Sequence, residues 1–95
     1  MRIDIQDSFS EKLGEVVDFI SNDKPKAARK FKADIQKKIK ALPEFPFQCK
    51  KSIYFENDSI RDMVFKGYTV VYKVDLEHKL ILVFGLIKHQ ENLDQ

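Results

Sequence analysis

The sequence has little of several residue types that many functional classes require. It has one cysteine, Cys49, among 95 residues, which excludes an internal disulfide. It has only three glycines and three prolines, and no glycine-rich phosphate-binding loop occurs. Neither a signal-peptide-like apolar run nor a stretch long enough to cross a membrane is present, so we expect a cytoplasmic protein that does not act at a membrane.

Metal-binding and nucleophilic residues are equally scarce. The two histidines, His78 and His89, are separated by a whole predicted strand and lack the spacing of a metal site. No acidic cluster in the sequence supplies the oxygen ligands of a calcium or magnesium site. We therefore expect neither a metal nor a cofactor. Cys49 is a poor candidate nucleophile, because cysteine catalysis needs a positioned histidine nearby.

What the sequence does contain is typical of one soluble domain that spans residues 1–95. It is 43% hydrophobic and 34% charged, and this length supports a single core. The net charge of +2 is too small by itself to indicate nucleic-acid binding. However, Asp34 and Glu44 are the only acids among the many lysines and arginines of residues 24–51. This basic segment is either a phosphate-binding face or a solvated helix surface.

Hydrophobic periodicity predicts a strand followed by two helices. Residues 2–6 alternate as a short strand does. A first helix is predicted from a cap at Asp7 or Ser8 to about Ser21, on an apolar stripe of Phe9, Leu13, Val16, Val17 and Ile20. A second helix, capped by Asp23, begins near Pro25 and ends before Pro43. Because the connection is short, we expect an antiparallel helix hairpin.

The second half of the sequence predicts strands. Residues 52–55, 60–66, 68–74 and 80–87 are rich in β-branched and aromatic residues, and the breaks between them are short. These features predict an antiparallel meander. Residues 80–87 do not alternate, which predicts an inner strand covered on both faces. The expected fold class is α+β, with an N-terminal strand and a helix hairpin packed on a mainly antiparallel, twisted sheet.

Arg61 is an unusual residue for an apolar strand. Burying a guanidinium without a partner costs several kcal/mol, roughly as for any unpaired charge. Two explanations remain open for this position. Arg61 forms a structural ion pair or hydrogen bonds to loop carbonyls, or it contacts an anionic ligand.

With these features, the chain resembles the RelE/ParE superfamily of small bacterial toxins, the toxic halves of type II toxin-antitoxin pairs. The resemblance rests on residues 16–20 (VVDFI), 25–31 (PKAARKF), 60–62 (IRD), 65–68 (FKGY) and 70–74 (VVYKV). It implies one of two activities on one fold. RelE-like members are ribosome-dependent endoribonucleases that cut messenger RNA, whereas ParE-like members poison DNA gyrase and lack the nuclease residues.

Two positions favour the ParE-like branch. Nuclease members of the superfamily often place an arginine just after the aromatic residue that opens the fourth strand, where this chain has Thr69. They also pair a histidine with a tyrosine near the C-terminus, but no tyrosine follows Tyr72 here. A hydroxyl cannot replace the charge of a guanidinium. If the chain is a ribonuclease, its candidate catalytic residues are Arg61, His89, Lys50 and Lys51.

The resemblance also implies partners. We expect a cognate antitoxin, together with DNA gyrase as the favoured target or the ribosome with its messenger RNA as the alternative. A third possibility is an inactive toxin-fold binding module, and the oligomeric state stays open. The candidate target-binding or antitoxin-binding residues are Arg61, Lys66, Lys73, Lys88, Phe45 and Phe47. The alternative explanation for the lysines is that they are simply exposed to solvent. The alternative for the phenylalanines is that they seal the helix hairpin onto the sheet.

Overall fold

The computed structural model describes residues 1–89 as two helices packed on one face of a five-stranded sheet. The strands are β1 (Arg2–Ile5), β2 (Lys50–Lys51), β3 (Ile60–Phe65), β4 (Tyr68–Asp75) and β5 (Leu80–Lys88). The helices are α1 (Asp7–Ser21) and α2 (Pro25–Lys40), and a short 3-10 turn, Leu42–Glu44, follows them. This arrangement confirms the predicted α+β class and the helix hairpin. In this described part, neither helix is long and apolar enough to cross a membrane.

The strands lie in the order β1-β5-β4-β3-β2. β2 to β5 form the predicted antiparallel meander, and β1 returns to lie parallel to β5, with Arg2 opposite Leu80. β5 is therefore an inner strand, as its apolar sequence predicts. Ile81 is fully buried beneath the helices, whereas Leu82 on the opposite face of the sheet is half-buried.

Both helices bury the stripes that their periodicity predicts. α1 contributes Phe9, Leu13 and Val16 to the core, and α2 contributes Phe31, Ile35 and Ile39. They pack against the inner residues of the sheet, which include Val70, Tyr72, Val74, Ile81 and Val83. The sheet thus has a helix-covered face and an opposite face, which we call the open face.

The predicted helix caps are wrong. The N-cap of α1 is Gln6 and that of α2 is Lys24, and neither makes a side-chain capping bond. β1 leads straight into α1, so the Gln6 amide continues the strand ladder by donating to the Val83 carbonyl at 2.9 Å. The Ser8 hydroxyl donates to the Phe84 carbonyl at 3.3 Å instead of capping the helix.

The predicted strand at 52–55 is also wrong, because β2 comprises only the two preceding residues, Lys50–Lys51. After β2 the chain leaves the ladder and crosses the open face of the sheet. The amide of Ile53 donates to Oδ2 of Asp62 at 3.0 Å, and the ring of Phe55 packs edge-on against Phe84 at 5.5 Å. The ring of Phe55 therefore packs on the open face, whereas the side chain of Ile53 is 83% exposed, and neither residue extends the sheet.

The turn between β3 and β4 fixes their pairing. Lys66 and Gly67 both have positive φ, 47° and 82°, and Phe65 pairs with Tyr68 across them. Two consecutive left-handed residues define the tight turn whose twist matches that of a β-hairpin. This geometry explains the Lys-Gly pair and sets Arg61 opposite Tyr72 and Val64 opposite Thr69.

Candidate functional site

Arg61 holds two loops together on the helix-covered side of β3. Its Nε donates to the Asp58 carbonyl at 2.9 Å, and its Nη1 donates to the carbonyls of Phe47 at 3.2 Å and Cys49 at 3.0 Å. The guanidinium also lies 4.8 Å from the centroid of the Phe47 ring. Within residues 1–89 no carboxylate lies at ion-pair distance. Of the alternatives for this half-buried side chain, the structure thus shows hydrogen bonds to loop carbonyls.

Tyr72, the cross-strand partner of Arg61, anchors the same loop from the core. Its ring is fully buried, and its hydroxyl donates to the Pro46 carbonyl at 2.8 Å. Burial raises the pKa of the Tyr72 phenol, so the neutral donor form is favoured. Residues 45–49 therefore take their shape from two strand side chains, although sequence reasoning singled out only the arginine.

This anchoring turns two phenylalanines outward. Phe45 is 65% exposed and Phe47 is 38% exposed, so neither seals the helix hairpin onto the sheet. Together with Pro46 and their neighbours Glu44 and Gln48, they line a shallow apolar depression of about 510 Å³. We call this surface, residues 44–48, the Phe45 groove. Its exposed aromatic area is the kind that marks interaction sites.

A second depression lies on the open face and gathers most of the candidate ribonuclease residues. It encloses about 440 Å³, and its lining includes Lys50, Lys51, His89, Thr69 and Asp62. Arg61 is not among the lining residues, because its side chain is on the helix-covered side of β3. The structure therefore separates the candidate arginine from His89.

The chemistry of this depression is defined by Thr69. Its side chain is only 2% exposed, and its Oγ1 is hydrogen-bonded to Nε2 of His89. Lys51 is paired with Asp58 at 3.4 Å on the rim. Asp62 accepts the Ile53 amide through Oδ2, while its buried Oδ1 has no partner within residues 1–89. The depression therefore contains a neutral hydroxyl and a carboxylate beside His89.

The remaining candidate lysines do not surround Arg61. Lys66, at the β3–β4 turn, pairs with Asp34 of α2 at 3.6 Å and lies 5.4 Å from the Phe65 ring. Lys73 is exposed on β4. Lys88, at the end of β5, lies 5.8 Å from the ring of Phe19. Lys66 and Lys88 therefore lie near the same end of the sheet, by the β3–β4 turn, and Lys73 lies further along β4, opposite Ile60.

Phe19 is an exposed aromatic residue that sequence reasoning did not select. It lies on α1, it is 70% exposed, and it lines a depression of about 210 Å³ with Tyr68 and Lys88. A signal was present in the sequence, since this large aromatic residue falls outside the apolar stripe of an amphipathic helix. The described surface thus has two apolar sites near opposite ends of the helix hairpin, one at Phe19 and the other at the Phe45 groove.

An acidic cluster at the β4–β5 turn also escaped the sequence analysis. Asp75, Glu77 and His78 bring potential metal-ligating atoms within 4.8 Å of one another. His78 donates its backbone amide to Asp75, which lowers the pKa of that carboxyl, and its Nδ1 lies 2.8 Å from Asp75 Oδ2. These hydrogen bonds are local contacts within the β4–β5 turn, so no bound ligand is needed to explain them.

The family follows from a match over almost the whole chain. The model of a family described as the ParE toxin of the type II toxin-antitoxin system parDE matches residues 3–93. The chain belongs to this ParE toxin family. The predicted superfamily and its ParE-like branch are both confirmed.

The fold of this ParE-family toxin is shared with solved structures. One of them comes from the chromosomal ParDE toxin-antitoxin system of P. aeruginosa, with a TM-score of 0.79. The alignment covers 95% of this chain and 97% of that chain at 18% sequence identity, so it shows a common fold. No curated protein shows significant similarity to the sequence.

Proposed function

We propose that this ParE-family toxin inhibits bacterial growth by stoichiometric binding to DNA gyrase, and that a cognate antitoxin blocks it. The observation that carries the choice of gyrase over RNA cleavage is the hydrogen bond between the buried Thr69 and the exposed His89. RNA cleavage needs cations that stabilise the charged phosphorane, as well as a general acid and a general base. The position next to His89 supplies a neutral hydroxyl.

The contacts of Arg61 support the same choice. Its Nε and both protons of its Nη1 are directed at the three loop carbonyls, which leaves only Nη2 for another acceptor. The side chain also points to the opposite side of β3 from the His89 depression. An arginine in this position serves the loop conformation better than it serves a phosphate on the open face.

The alternative function is ribosome-dependent cleavage of messenger RNA, and one observation favours it. Lys50, Lys51 and His89 line the same depression, so two cations and one titratable group could meet an RNA there. An inactive binding module is the third candidate. The experiment must therefore separate three outcomes.

Purified full-length protein should be added in parallel to a gyrase supercoiling assay and to a translating extract. We expect gyrase inhibition without cleavage of messenger RNA. The variant His89→Gln should keep most of the growth inhibition, because gyrase binding needs no proton transfer, whereas a ribonuclease would lose activity by about 10²-fold or more. Co-expression of the cognate antitoxin should restore growth.

Cleavage at ribosome-positioned codons with no effect on gyrase would overturn this proposal. Failure of the unmodified chain to slow growth in the absence of antitoxin would instead favour the inactive module. A suitable control for His89→Gln is His78→Gln, which changes the other histidine at the distant β4–β5 turn.

For the antitoxin, we propose contact at the Phe45 groove. An amphipathic segment buries apolar side chains in such a groove, and aromatic residues are common anchors of protein interfaces. Phe45 is the more exposed of the two phenylalanines that line it.

A further inference from the structure

The outer side of α2 carries a continuous row of cations. The helix buries one stripe of apolar residues, and its opposite side presents Lys26, Lys30, Lys37 and Lys40, all of them exposed. These lysines recur at intervals of three, four or seven residues, which places them in line along the helix. At about 1.5 Å per residue the row is about 21 Å long. We call these four lysines the basic row.

Ion pairs within the described residues neutralise little of this charge. Asp34, the only acid of α2, is shared between Lys30 at 3.2 Å and Lys66 at 3.6 Å, and this pairing lowers the pKa of its carboxyl. Within residues 1–89, Lys26, Lys37 and Lys40 have no ion pair.

Two features of α2 make part of this charge unfavourable for the isolated helix. Like charges three or four residues apart repel each other. The first turn also has no acid to complement the positive end of the helix dipole, although Lys26 lies there. Lys37 and Lys40, by contrast, lie in the last turn, where cations complement the negative end of the dipole. Helix stability therefore explains only one end of the row, whereas an anionic ligand explains its whole length.

The surroundings of the row indicate the chemistry of that ligand. Its only interruption is Ala33, and the large apolar residues of α2 are buried. Protein interfaces are depleted in lysine and rich in aromatic residues, and proteins that bind single strands use exposed aromatic side chains to stack bases. A row of lysines without aromatic neighbours fits phosphates whose bases are already paired.

The other helix restricts where such a ligand can lie. The exposed side of α1 is mainly acidic, with Asp7, Glu11, Glu15 and Asp18. A polyanion is repelled from α1 and attracted to α2. The small net charge of +2 thus hides two surfaces of opposite sign.

We propose that the basic row of α2 binds the phosphate backbone of duplex DNA without reading its sequence. Counting both strands, a duplex carries one phosphate per about 1.7 Å, so about twelve lie along about 21 Å of its axis. The strands wind around the axis, so about half of these phosphates face the protein, which is enough for each of the four lysines to approach one. This binding does not depend on gyrase being the target.

The test measures binding of the full-length protein to a labelled duplex of about two helical turns, by fluorescence anisotropy between about 50 and 200 mM salt. We expect weak binding whose logarithm falls linearly with the logarithm of salt concentration. In the triple variant Lys26→Gln, Lys37→Gln, Lys40→Gln the slope should become shallower by about 2.7, since each phosphate contact contributes about 0.9. Affinity at about 50 mM salt should fall at least tenfold.

The matched control has the same change in net charge away from the row. Lys12→Gln, Lys32→Gln and Lys79→Gln alter exposed lysines on α1, on the side of α2 that faces α1, and at the β4–β5 turn. This variant should keep most of the affinity and nearly the full slope. Circular dichroism should show that both variants fold, because glutamine and lysine have similar helix propensity. If the triple variant does not fold, the single change Lys37→Gln should still reduce the slope by about 0.9.

Several results would overturn the proposal. One is the absence of duplex binding at about 50 mM salt, and another is an equal loss of affinity in the triple variant and in its control. Tighter binding of polyglutamate than of duplex DNA would assign the row to an acidic protein partner. Stronger binding of single-stranded DNA or of duplex RNA would also exclude duplex DNA as the preferred ligand.

Discussion

At the scale of single residues, Arg61 is a cross-link within the fold. A planar guanidinium can donate to several acceptors at once, and here it joins the carbonyls of Phe47, Cys49 and Asp58. The two segments that it joins lie on either side of β2 along the chain. The charge that looks misplaced in an apolar strand therefore organises the loops around it.

Replacing Arg61 should lower stability more than its partial exposure suggests. We expect Arg61→Lys to reduce the free energy of unfolding by about 1–2 kcal/mol, because a compact ammonium cannot reach all three carbonyls. Arg61→Ala should reduce it by about 2–3 kcal/mol. The measurement is urea denaturation followed by circular dichroism.

Lys73→Ala is the matched control, since this exposed strand residue should change stability by less than about 0.5 kcal/mol. If Arg61→Lys unfolds at the same urea concentration as the unmodified chain but no longer inhibits growth, the arginine acts mainly on the target. Measuring antitoxin binding separately from growth inhibition keeps these two roles apart.

At the scale of elements, residues 45–49 form a loop whose backbone carbonyls are hydrogen-bonded to the sheet and whose aromatic side chains are exposed. Tyr72 and Arg61 fix their carbonyls, so the backbone of the Phe45 groove is anchored before any partner arrives. A preorganised surface loses less conformational freedom on binding than a flexible loop does.

The variant Phe45→Ser should separate antitoxin binding from folding. Phe45 is mostly exposed, so stability should change little, while affinity for the cognate antitoxin should fall by about tenfold or more if this ring is an anchor. Isothermal titration calorimetry measures the affinity. As a control, Leu76→Ser removes another exposed apolar side chain, at the β4–β5 turn. This variant should leave the affinity for the antitoxin unchanged. Equal affinities for Phe45→Ser and the unmodified chain would place the antitoxin elsewhere.

The elements that the sequence predicts well are those whose signal is local. The stripes of α1 and α2 and the positive-φ turn at Lys66 and Gly67 each depend on neighbouring residues. The predictions that are wrong fail because residues distant along the chain determine the local structure. Residues 52–55 have strand propensity, yet Asp62 and Phe84 hold them across the open face.

The candidate site was predictable in part for the same reason. The composition of the apolar strand marks Arg61 as unusual. Its acceptors could not be read from the sequence, because Phe47 and Cys49 lie fourteen and twelve residues away. Likewise, the resemblance to the superfamily implies that Thr69 stands where nuclease members carry an arginine, but it does not reveal the contact of Thr69 with His89.

At the scale of the whole molecule, stability should fall at both extremes of pH. The pKa of Asp34 is lowered by its hydrogen bond with Lys30, and that of Asp75 by the backbone amide of His78. Both carboxylates stabilise the folded state above their ordinary pKa of 3.8, and this contribution is lost as pH falls through their lowered values. Tyr72 instead contributes stability that is lost as pH rises, because burial raises the pKa of its phenol.

Alkaline unfolding should therefore depend on Tyr72. Its phenol ionises near pH 10 in the unfolded chain but remains neutral in the fold, so stability is complete below about pH 10 and decreases above it. We expect Tyr72→Phe to lose about 0.5–1.5 kcal/mol at neutral pH with its hydrogen bond, and to show a weaker decline above pH 10. Thermal unfolding at several pH values measures both effects. Parallel alkaline declines in the two proteins would contradict this role.

The two-residue strand β2 also affects how the molecule behaves at high concentration. It forms one edge of the sheet, and both of its residues, Lys50 and Lys51, are exposed cations. A second copy that added a strand there would find few backbone groups to pair and would bring lysines against lysines. Short, charged edge strands of this kind oppose aggregation, so we expect this edge not to seed fibrils at high concentration.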